Sequence, residues 1–296
     1  MLRGATRLAA LLVLVAAVAH AASGPPCSRL ATGDARTWAY VIDKLADDGL
    51  DCQRVLRAFS DPRFPPFDGL SFSLVPGESR APYRRLLSAS SVASARRCYL
   101  ENERALRAAE ARHGVPAGVV AAIVHVESAC GRNTGSSRIL PRLARLAMAS
   151  DPANLYANMR RHTAGRQGEA RADLERRTRA RALVLEEMFY PEVRASFVIA
   201  ERHRYDPLNM MGSYAGAFGI PQFLPTSYLL HGEDGNGDGH ISLFDHDDAI
   251  ASCAKYLAAH GWKPGMTSRE KRKVVWEYNH SDAYIDTVLA LAERLP

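Results

Sequence analysis

The sequence predicts a mainly α protein with minor β content. Apolar residues recur at helical spacing through most of the chain from Ala95 onward. Breaks such as Gly114-Val115-Pro116 separate these periodic runs. Segments with strand character are few, and Ile241-Ser242-Leu243 is the best of them. The 296 residues suffice for one or two domains with an ample core, and no internal repeat is visible.

The elements follow in order. Residues 1–21 read as a secretory signal peptide, with basic Arg3 and Arg7, an apolar run from Leu8 to Ala19 and an Ala19-His20-Ala21 cleavage site near Ala21. The apolar run is too short to span a bilayer stably, and no other segment is long and apolar enough to do so. Cys27 follows Pro-Pro rather than a lipid-attachment context. Residues 22–95 read as a helical and extended segment packing on the core, with a proline-rich connector from Ser60 to Pro82. The main domain covers 96–296. Tyr99, Leu106 and Ala109 suit one buried helix face. A helix over Pro116–Ala129, with Gly131 as its stop, and another over Ile139–Ala149 come next. Residues 150–205 form an Arg-rich helical insertion, polar and weakly periodic to about 180, then helical from Leu183 to His203 with Pro191 starting, ending or kinking something. Final helices are expected at Asp247–His260 and Asp282–Leu295.

Export implies an oxidising compartment. Five cysteines are present, so one stays unpaired within the chain. Cys27 with Cys52, and Cys130 with Cys253, are the candidate pairs, although connectivity does not follow from sequence. No CxxC or CxxH spacing suggests zinc. The net charge of +6 and pI of 9.2 favour an anionic polymer as partner. Nucleic acid is disfavoured because no basic segment is interleaved with aromatics.

One residue breaks the helical pattern. Val120, Val124 and Glu127 share an i, i+4, i+7 face, so Glu127 stands where an apolar side chain is expected. Burying a carboxylate is costly unless it is protonated, paired or functional. The last turn of a helix disfavours the anion by only about 0.3–1 kcal/mol, so any larger pKa shift must come from desolvation. A carboxyl kept protonated near neutral pH is what a general acid requires. A buried Glu tied to an Arg is the competing reading. A Ser or Cys nucleophile finds little support: Cys130 and His125 are five apart, and there is no Gly-x-Ser-x-Gly, His-Glu-x-x-His or phosphate loop.

The sharpest local pattern is Asp234-Gly-Asn236-Gly-Asp238-Gly239-His240-Ile241. Oxygen side chains at loop positions one, three and five, a glycine at six and the His240 carbonyl at seven make an EF-hand-like calcium loop. Position twelve is Asp245, too short for bidentate reach, so Asp248 closes the shell with Asp247 as competitor. The expected cofactor is a structural Ca2+ held by Asp234, Asn236, Asp238, His240 and Asp248. Between Gly212 and Tyr228 small residues alternate with Ser213, Gln222, Phe223 and Tyr228, a composition that lets backbone approach a ligand and offers hydrogen bonds and flat faces for sugar rings. Tyr278, Asn279 and Tyr284 form a second such group, where Ser281 reads equally as an N-cap and Glu277 and Asp282 are the rival carboxylates.

Taken together, these segments resemble the soluble SltB/MltB-type lytic murein transglycosylases, glycoside hydrolase family 103. The matching pieces run in order: Gly-Val-Pro116, Val-Glu127-Ser with Gly131-Arg132-Asn133-Thr134-Gly135, Arg138-Ile139-Leu140, Asp206-Pro207-Leu208, the Gly212 to Tyr228 segment, the acidic loop, and Tyr278-Asn279-x-Ser-x-x-Tyr284. The resemblance covers about residues 95–296. It implies a lysozyme-like catalytic core and cleavage of the MurNAc–GlcNAc bond of peptidoglycan without water, giving 1,6-anhydromuramoyl ends. It implies Glu127 as acid and then base, Ser213, Gln222, Tyr278, Asn279 and Tyr284 as glycan contacts, and calcium in the acidic loop. Its partners would be peptidoglycan glycan strands. The expected setting is periplasmic, with a monomer that can join a cell-wall enzyme complex. Two departures stand out: Cys130 replaces a frequent aromatic, and the Arg-rich stretch is diverged, with Arg160 and Arg161 as candidates for the family's paired cleft arginines. The alternatives are a muramidase-type hydrolase, in which Asp282 or Glu277 activates water, and a non-catalytic calcium-stabilised peptidoglycan-binding protein.

Overall fold

The computed structural model describes residues 25–75, 81–204 and 206–296, apart from the side chains of 81 and 82. The expected signal peptide therefore lies outside the described residues. Among the described residues, thirteen α-helices and one two-stranded antiparallel ribbon make up the regular structure, with short 3-10 turns between. The mainly α expectation holds. Among the described residues no helix is long and apolar enough to cross a membrane.

The central element is α6 (Ala117–Ser128). Every residue from Ala117 to His125 is buried. A helix apolar all round belongs in the middle of a core rather than on its surface. Around it pack α4 (Ala89–Glu101), α5 (Glu103–His113), α11 (His246–Ala259), α12 (Ser268–Tyr278) and α13 (Asp282–Ala292). Tyr99, Leu106 and Ala109 are all buried there, although the chain breaks at Asn102 between the two helices that carry them. Helix α4 runs through residue 95, so the domain boundary expected there cuts a helix instead of a linker.

A second apolar cluster joins the N-terminal α1 (Ala39–Asp47) and α2 (Cys52–Phe59) to α7 (Ile139–Ala147) and to the C-terminal half of α9 (Gly168–His203). Trp38, Phe59 and Phe64 are buried in it, and residues 27–64 supply eleven of its 27 buried members. A smaller third cluster places Phe72 against Ala149, Ala182 and Leu185. It anchors the extended connector under α8 (Pro152–Thr163) and α9. The short α3 (Ala81–Leu86) then leads back towards α13.

Several sequence expectations change. The first part of the Arg-rich stretch is α8, and from Gly168 its remainder and the Leu183–His203 run are one continuous 36-residue helix with Pro191 inside it. The polar first turns gave no periodicity because they face solvent on all sides. Helix α12 was not anticipated, although its Thr267-x-x-Glu270 capping box is a standard start signal. Helix α10 (Pro225–His231) covers the end of the Gly212–Tyr228 segment, to which composition alone assigned no element. Ile241–Leu243 is not a strand. Ser242 gives its N–H to Asp248, the Ile241 carbonyl accepts from the Tyr228 hydroxyl, and the Leu243 carbonyl takes the Ile220 N–H at 2.7 Å, which is no strand ladder. The strands are β1 (Ser137–Arg138) and β2 (Met211–Gly212), in register Ser137 to Gly212. A Cβ on Gly135 would sit 2.2 Å from the Gly212 carbonyl oxygen, so the ribbon requires glycine there.

The disulfides are Cys27–Cys52 and Cys98–Cys130. The expected Cys130–Cys253 pair does not form. Cys98 lies on α4, which packs directly on α6, whereas Cys253 is buried and free inside α11.

Candidate active site

Helix α6 ends abruptly. Ala129, Cys130 and Gly131 all take left-handed conformations, at φ of 50°, 59° and 80°. Two of the three are not glycine, a strain that persists only where surrounding contacts impose it. Those contacts are on hand. Cys130 N–H returns to the Val124 carbonyl at 3.1 Å, the Ser128 hydroxyl accepts the Gly131 N–H at 2.8 Å, and Cys130 is tied to Cys98. Because the chain doubles back, Cys130 Sγ comes 3.9 Å from His125 Nδ1, which five residues of straight helix would not allow. The disulfide rules that sulfur out as a nucleophile.

Glu127 therefore sits on the last turn of a buried helix, just before this corner. The residue is partly exposed, but its carboxyl faces inward. Tyr284 Oη donates to Glu127 Oε1 at 2.6 Å. Burial pushes the carboxyl pKa up to about 7, and the Tyr284 hydrogen bond opposes that rise. The competing reading, a Glu tied to Arg, is met elsewhere in kind. Buried Glu186 pairs with Lys44 and accepts from Tyr40, and buried Glu192 holds the N–H and hydroxyl of Thr226 at 2.8 and 2.6 Å. Among the described residues Glu127 makes no ion pair.

Three of the sugar-site candidates gather around it. Tyr284, on α13, stacks with Tyr278 at 6.3 Å and 10° between planes. Tyr278 closes α12 and donates to the Pro221 carbonyl at 2.6 Å. Gln222, next in line, has φ 52° and gives its side-chain amide hydrogens to the carbonyls of Gly219 (2.7 Å) and Thr134 (3.2 Å). Thr134 follows the turn after Glu127, so that bond ties the Gln222 turn to the Glu127 corner. The side-chain oxygen of Gln222 is the atom left to accept from a ligand. Asn279 caps α12, and Ser281 is the N-cap of α13, accepting the Tyr284 N–H at 3.1 Å. Ser213, at the end of β2, uses its hydroxyl to accept the Ala217 N–H at 3.1 Å.

Two candidates are misplaced by the sequence reading. Phe223 is 2 % exposed and Tyr228 is 7 % exposed, both within the second apolar cluster. The Tyr228 hydroxyl meets His203 Nε2 at 2.8 Å and the Ile241 carbonyl at 3.0 Å. Their flat faces are occupied by protein, since α10 folds them inward. The arginine candidates also lie elsewhere. Arg160 is exposed on α8, and Arg161 donates to the Phe72 carbonyl at 2.6 Å. The sequence reading missed Tyr83, whose ring meets Tyr284 edge-on at 6.3 Å. It also missed Tyr256, which packs on Tyr278 at 4.9 Å. Nothing in their sequence neighbourhoods separates them from ordinary core aromatics. The rival carboxylates both face solvent: Glu277 is exposed, and Asp282 is exposed and paired with Arg272 at 2.8 Å.

The acidic loop is folded around its own oxygens. Asp234 Oδ1 accepts the Gly237 N–H at 2.6 Å and Oδ2 the Gly239 N–H at 2.8 Å. Asn236 accepts from Asp238 N–H and Asp238 from His240 N–H, at 2.9 and 2.8 Å. Asp248, 1 % exposed, reaches back to Gly235 N–H (2.8 Å) and Ser242 N–H (2.7 Å). Asp245 is spent as the N-cap of α11, and Asp247 points away to Arg104 at 2.6 Å. Among the described residues Asp234, Asp238 and Asp248 form no ion pair, and no three His, Cys, Asp or Glu side chains meet as a ready metal cluster. A hard cation there would rely on the Asn236 amide and the His240 carbonyl besides the carboxylates, a donor set of the kind calcium accepts.

The sequence profile of the transglycosylase SLT domain matches residues 37–272. This range includes Glu127, Gln222 and the acidic loop, while Tyr278, Asn279 and Tyr284 lie beyond it. Membrane-bound lytic murein transglycosylase B of Escherichia coli (strain K12) is 36 % identical over 163 residues, which is 55 % of this chain and 36 % of that relative. The match thus spans little more than a third of the relative's length. The E. coli lytic transglycosylase Slt35, solved with bulgecin A, superposes with a TM-score of 0.64 at 24 % identity, covering 87 % of this chain and 92 % of its own. Slt35 has also been solved in complex with calcium. SltB3 from Pseudomonas aeruginosa, solved with NAG-anhNAM-pentapeptide, superposes with a TM-score of 0.62 at 19 % identity, covering 88 % and 79 %. These likenesses show a common, lysozyme-like fold. With four-fifths of the chain matched by one family profile, the protein belongs to the transglycosylase SLT domain family.

Proposed function

We propose that this protein is a lytic transglycosylase that cleaves the β-1,4 MurNAc–GlcNAc bond of peptidoglycan and leaves 1,6-anhydromuramoyl ends. The observation that carries the proposal is the lone inward-facing carboxyl of Glu127, raised to a pKa of about 7 by burial, with both rival carboxylates turned to solvent. Hydrolytic glycosidases ordinarily use two carboxyl groups, placed either to hold water or to form a covalent intermediate. A single carboxyl suffices where the substrate supplies its own nucleophile. Glu127 protonates the leaving glycosidic oxygen, the muramoyl C6 hydroxyl attacks C1, and the Glu127 carboxylate takes the C6 proton. The intramolecular hydroxyl replaces a bound water by proximity.

Ser213, Gln222, Tyr278, Asn279 and Tyr284 serve as the glycan contacts in this reading. The domain boundaries are taken as 22–95 for the N-terminal segment and 96–296 for the catalytic unit. The export signal, the family and the basic charge support a periplasmic protein acting on the cell wall as a monomer, free to join a cell-wall enzyme complex. Calcium in the Asp234–Asp248 loop would be structural, supported by the loop's acceptor pattern and by the calcium complex of Slt35. It would neutralise three carboxylates and hold the loop against Ile220, next to the Gln222 turn.

The test is mass spectrometry of soluble products from purified peptidoglycan. Anhydromuropeptides from the wild type but not from Glu127→Gln are expected. Reducing-end products would point to a hydrolase, and an equally active Glu127→Gln would remove the acid/base assignment.

A further inference from the structure

A groove of about 700 Å³ runs along α4, on the side of that helix away from the Glu127 corner. Leu87, Val92 and Leu100 give it apolar surface, and Arg96, Arg97 and Arg294 give it charge. The helix period sets the separation. Ser91, Ser94 and Cys98, at i, i+3 and i+7, share one face of α4, and that face holds the corner. Ser91 Oγ meets His125 Nε2 at 2.9 Å, Ser94 Oγ accepts from Arg132 at 2.6 Å, and Cys98 is bonded to Cys130. Val92, Arg96 and Leu100, at i, i+4 and i+8, point to the opposite side. None of the proposed glycan contacts lines the groove.

No carboxylate lines it either. Among the described residues none of the three arginines forms an ion pair. Arg96 Nε donates to the Arg294 carbonyl at 2.8 Å, and Arg294 Nη1 donates to the Leu87 carbonyl at 3.1 Å. These bonds clip the C-terminal turn to α4 and hold two guanidinium groups in place without neutralising them. Leu100 is 63 % exposed in the same groove. An occupant must therefore bring apolar side chains and negative charge together.

Residues 89–100 offer about 16 Å of helix as one wall. An amphipathic helix lays an i, i+3, i+4, i+7 apolar face into a groove of this kind. A flat bilayer would bridge a concave surface without filling it, so the shape favours a helix over anionic lipid. We infer that this groove is the docking site for an acidic amphipathic helix of a partner protein. The inference goes beyond glycan cleavage and stands without it. A partner seated there covers the back of α4 and leaves the Glu127 face open.

The experiment measures fluorescence anisotropy with a labelled synthetic helix of about 18 residues, about five turns, carrying a leucine stripe flanked by glutamates. A second peptide has lysines in place of the glutamates, and a third keeps the first composition with the stripe scrambled. Vesicles of phosphatidylglycerol and phosphatidylcholine form the lipid arm. Hydrogen exchange on the whole protein, with and without peptide, locates the contact. Saturable binding of the glutamate peptide alone is expected, weakening with added salt. Protection is expected at residues 87–100 and around Arg294. Arg96→Glu/Arg97→Glu should weaken this binding about tenfold and admit the lysine peptide. Leu100→Asp should cost about tenfold as well. Arg97 makes no side-chain hydrogen bond among the described residues, so Arg97→Glu alone repeats the charge test without touching the fold, and thermal midpoints are compared throughout. No saturable binding up to about 1 mM peptide would overturn the inference. So would equal binding of the lysine or scrambled peptide, or protection at Gln222 and Tyr284 instead of α4. Binding to the vesicles without binding to the peptide would assign the surface to anionic lipid and overturn it too.

Discussion

At the scale of single residues, Glu127 differs from the other buried carboxylates by what it lacks. Glu186 and Glu192 are covered and hydrogen-bonded by structural partners, whereas Glu127 has one phenol and stays partly exposed as a residue. Its raised pKa has two consequences of defined sign. As an acid it must be protonated, so activity falls as pH rises through about 7. Removing the Tyr284 hydroxyl takes away the one bond that lowers this pKa, so Tyr284→Phe should move the falling limb of the pH–rate profile to higher pH. A limb that stays or moves down would contradict the assignment. For stability, the folded pKa of about 7 exceeds the usual carboxylate value of 4.5. The folded state thus holds the proton longer, and the ionised carboxyl becomes a growing liability between those two pH values. Glu127→Gln should match wild type below pH 4.5 and exceed it above pH 7 by at most about 3 kcal/mol, one unit being about 1.4 kcal/mol. Urea unfolding at both pH extremes checks this.

Among elements, the corner after α6 matters most. Three successive left-handed residues are held by the Cys98–Cys130 bond and by the Ser128 hydroxyl. The bond closes a separation of 32 residues, for which chain entropy predicts about 3–4 kcal/mol. Cys98→Ser with Cys130→Ser should lose stability of that order in thermal melts and also lower kcat, since the corner that aims Glu127 is then free to relax. Full activity in a destabilised variant would separate the two roles. The acidic loop makes a second element-scale prediction. If calcium neutralises Asp234, Asp238 and buried Asp248, chelation should lower the melting temperature, and Asp248→Asn should abolish the calcium-dependent part of it. An absence of any calcium-dependent shift would leave a loop satisfied by its own N–H groups.

Over the whole molecule, the candidate site lies on a seam. One apolar cluster surrounds α6 and the other unites the N-terminal helices with α7 and α9, and Tyr256 and Tyr278 pack against both. Glu127 and Tyr284 come with the first cluster, and Gln222 stands between Ile220 of the first and Phe223 of the second, so the candidate site lies where two separately packed cores meet, a common place for a binding site. With a net charge of +6, retention on peptidoglycan should weaken steadily with added salt, and Glu127→Gln should be retained like wild type. Sedimentation with sacculi across a salt series measures it, and salt-independent retention would argue for contacts other than charge.

Much of this was legible from local pattern. Helical periodicity announced the fold class, the Asx-Gly spacing announced the loop, and a carboxylate among valines announced Glu127, because each is a property of neighbours along the chain. What lay beyond reach depended on neighbours in space. Phe223 and Tyr228 look as suited to sugar as Tyr278 does, and only the packing of α10 buries them. With Cys27 and Cys52 paired, Cys130 had two possible partners, and the choice of Cys98 follows from α4 lying on α6. Asp248 was the expected ligand with Asp247 as competitor, and the start of α11 turns Asp248 inward and gives Asp247 to Arg104. The sequence by itself determined which chemistry was available and on which kind of element. The tertiary structure alone decided which side chains share a space, since burial, desolvation and pairing are set by residues distant in sequence.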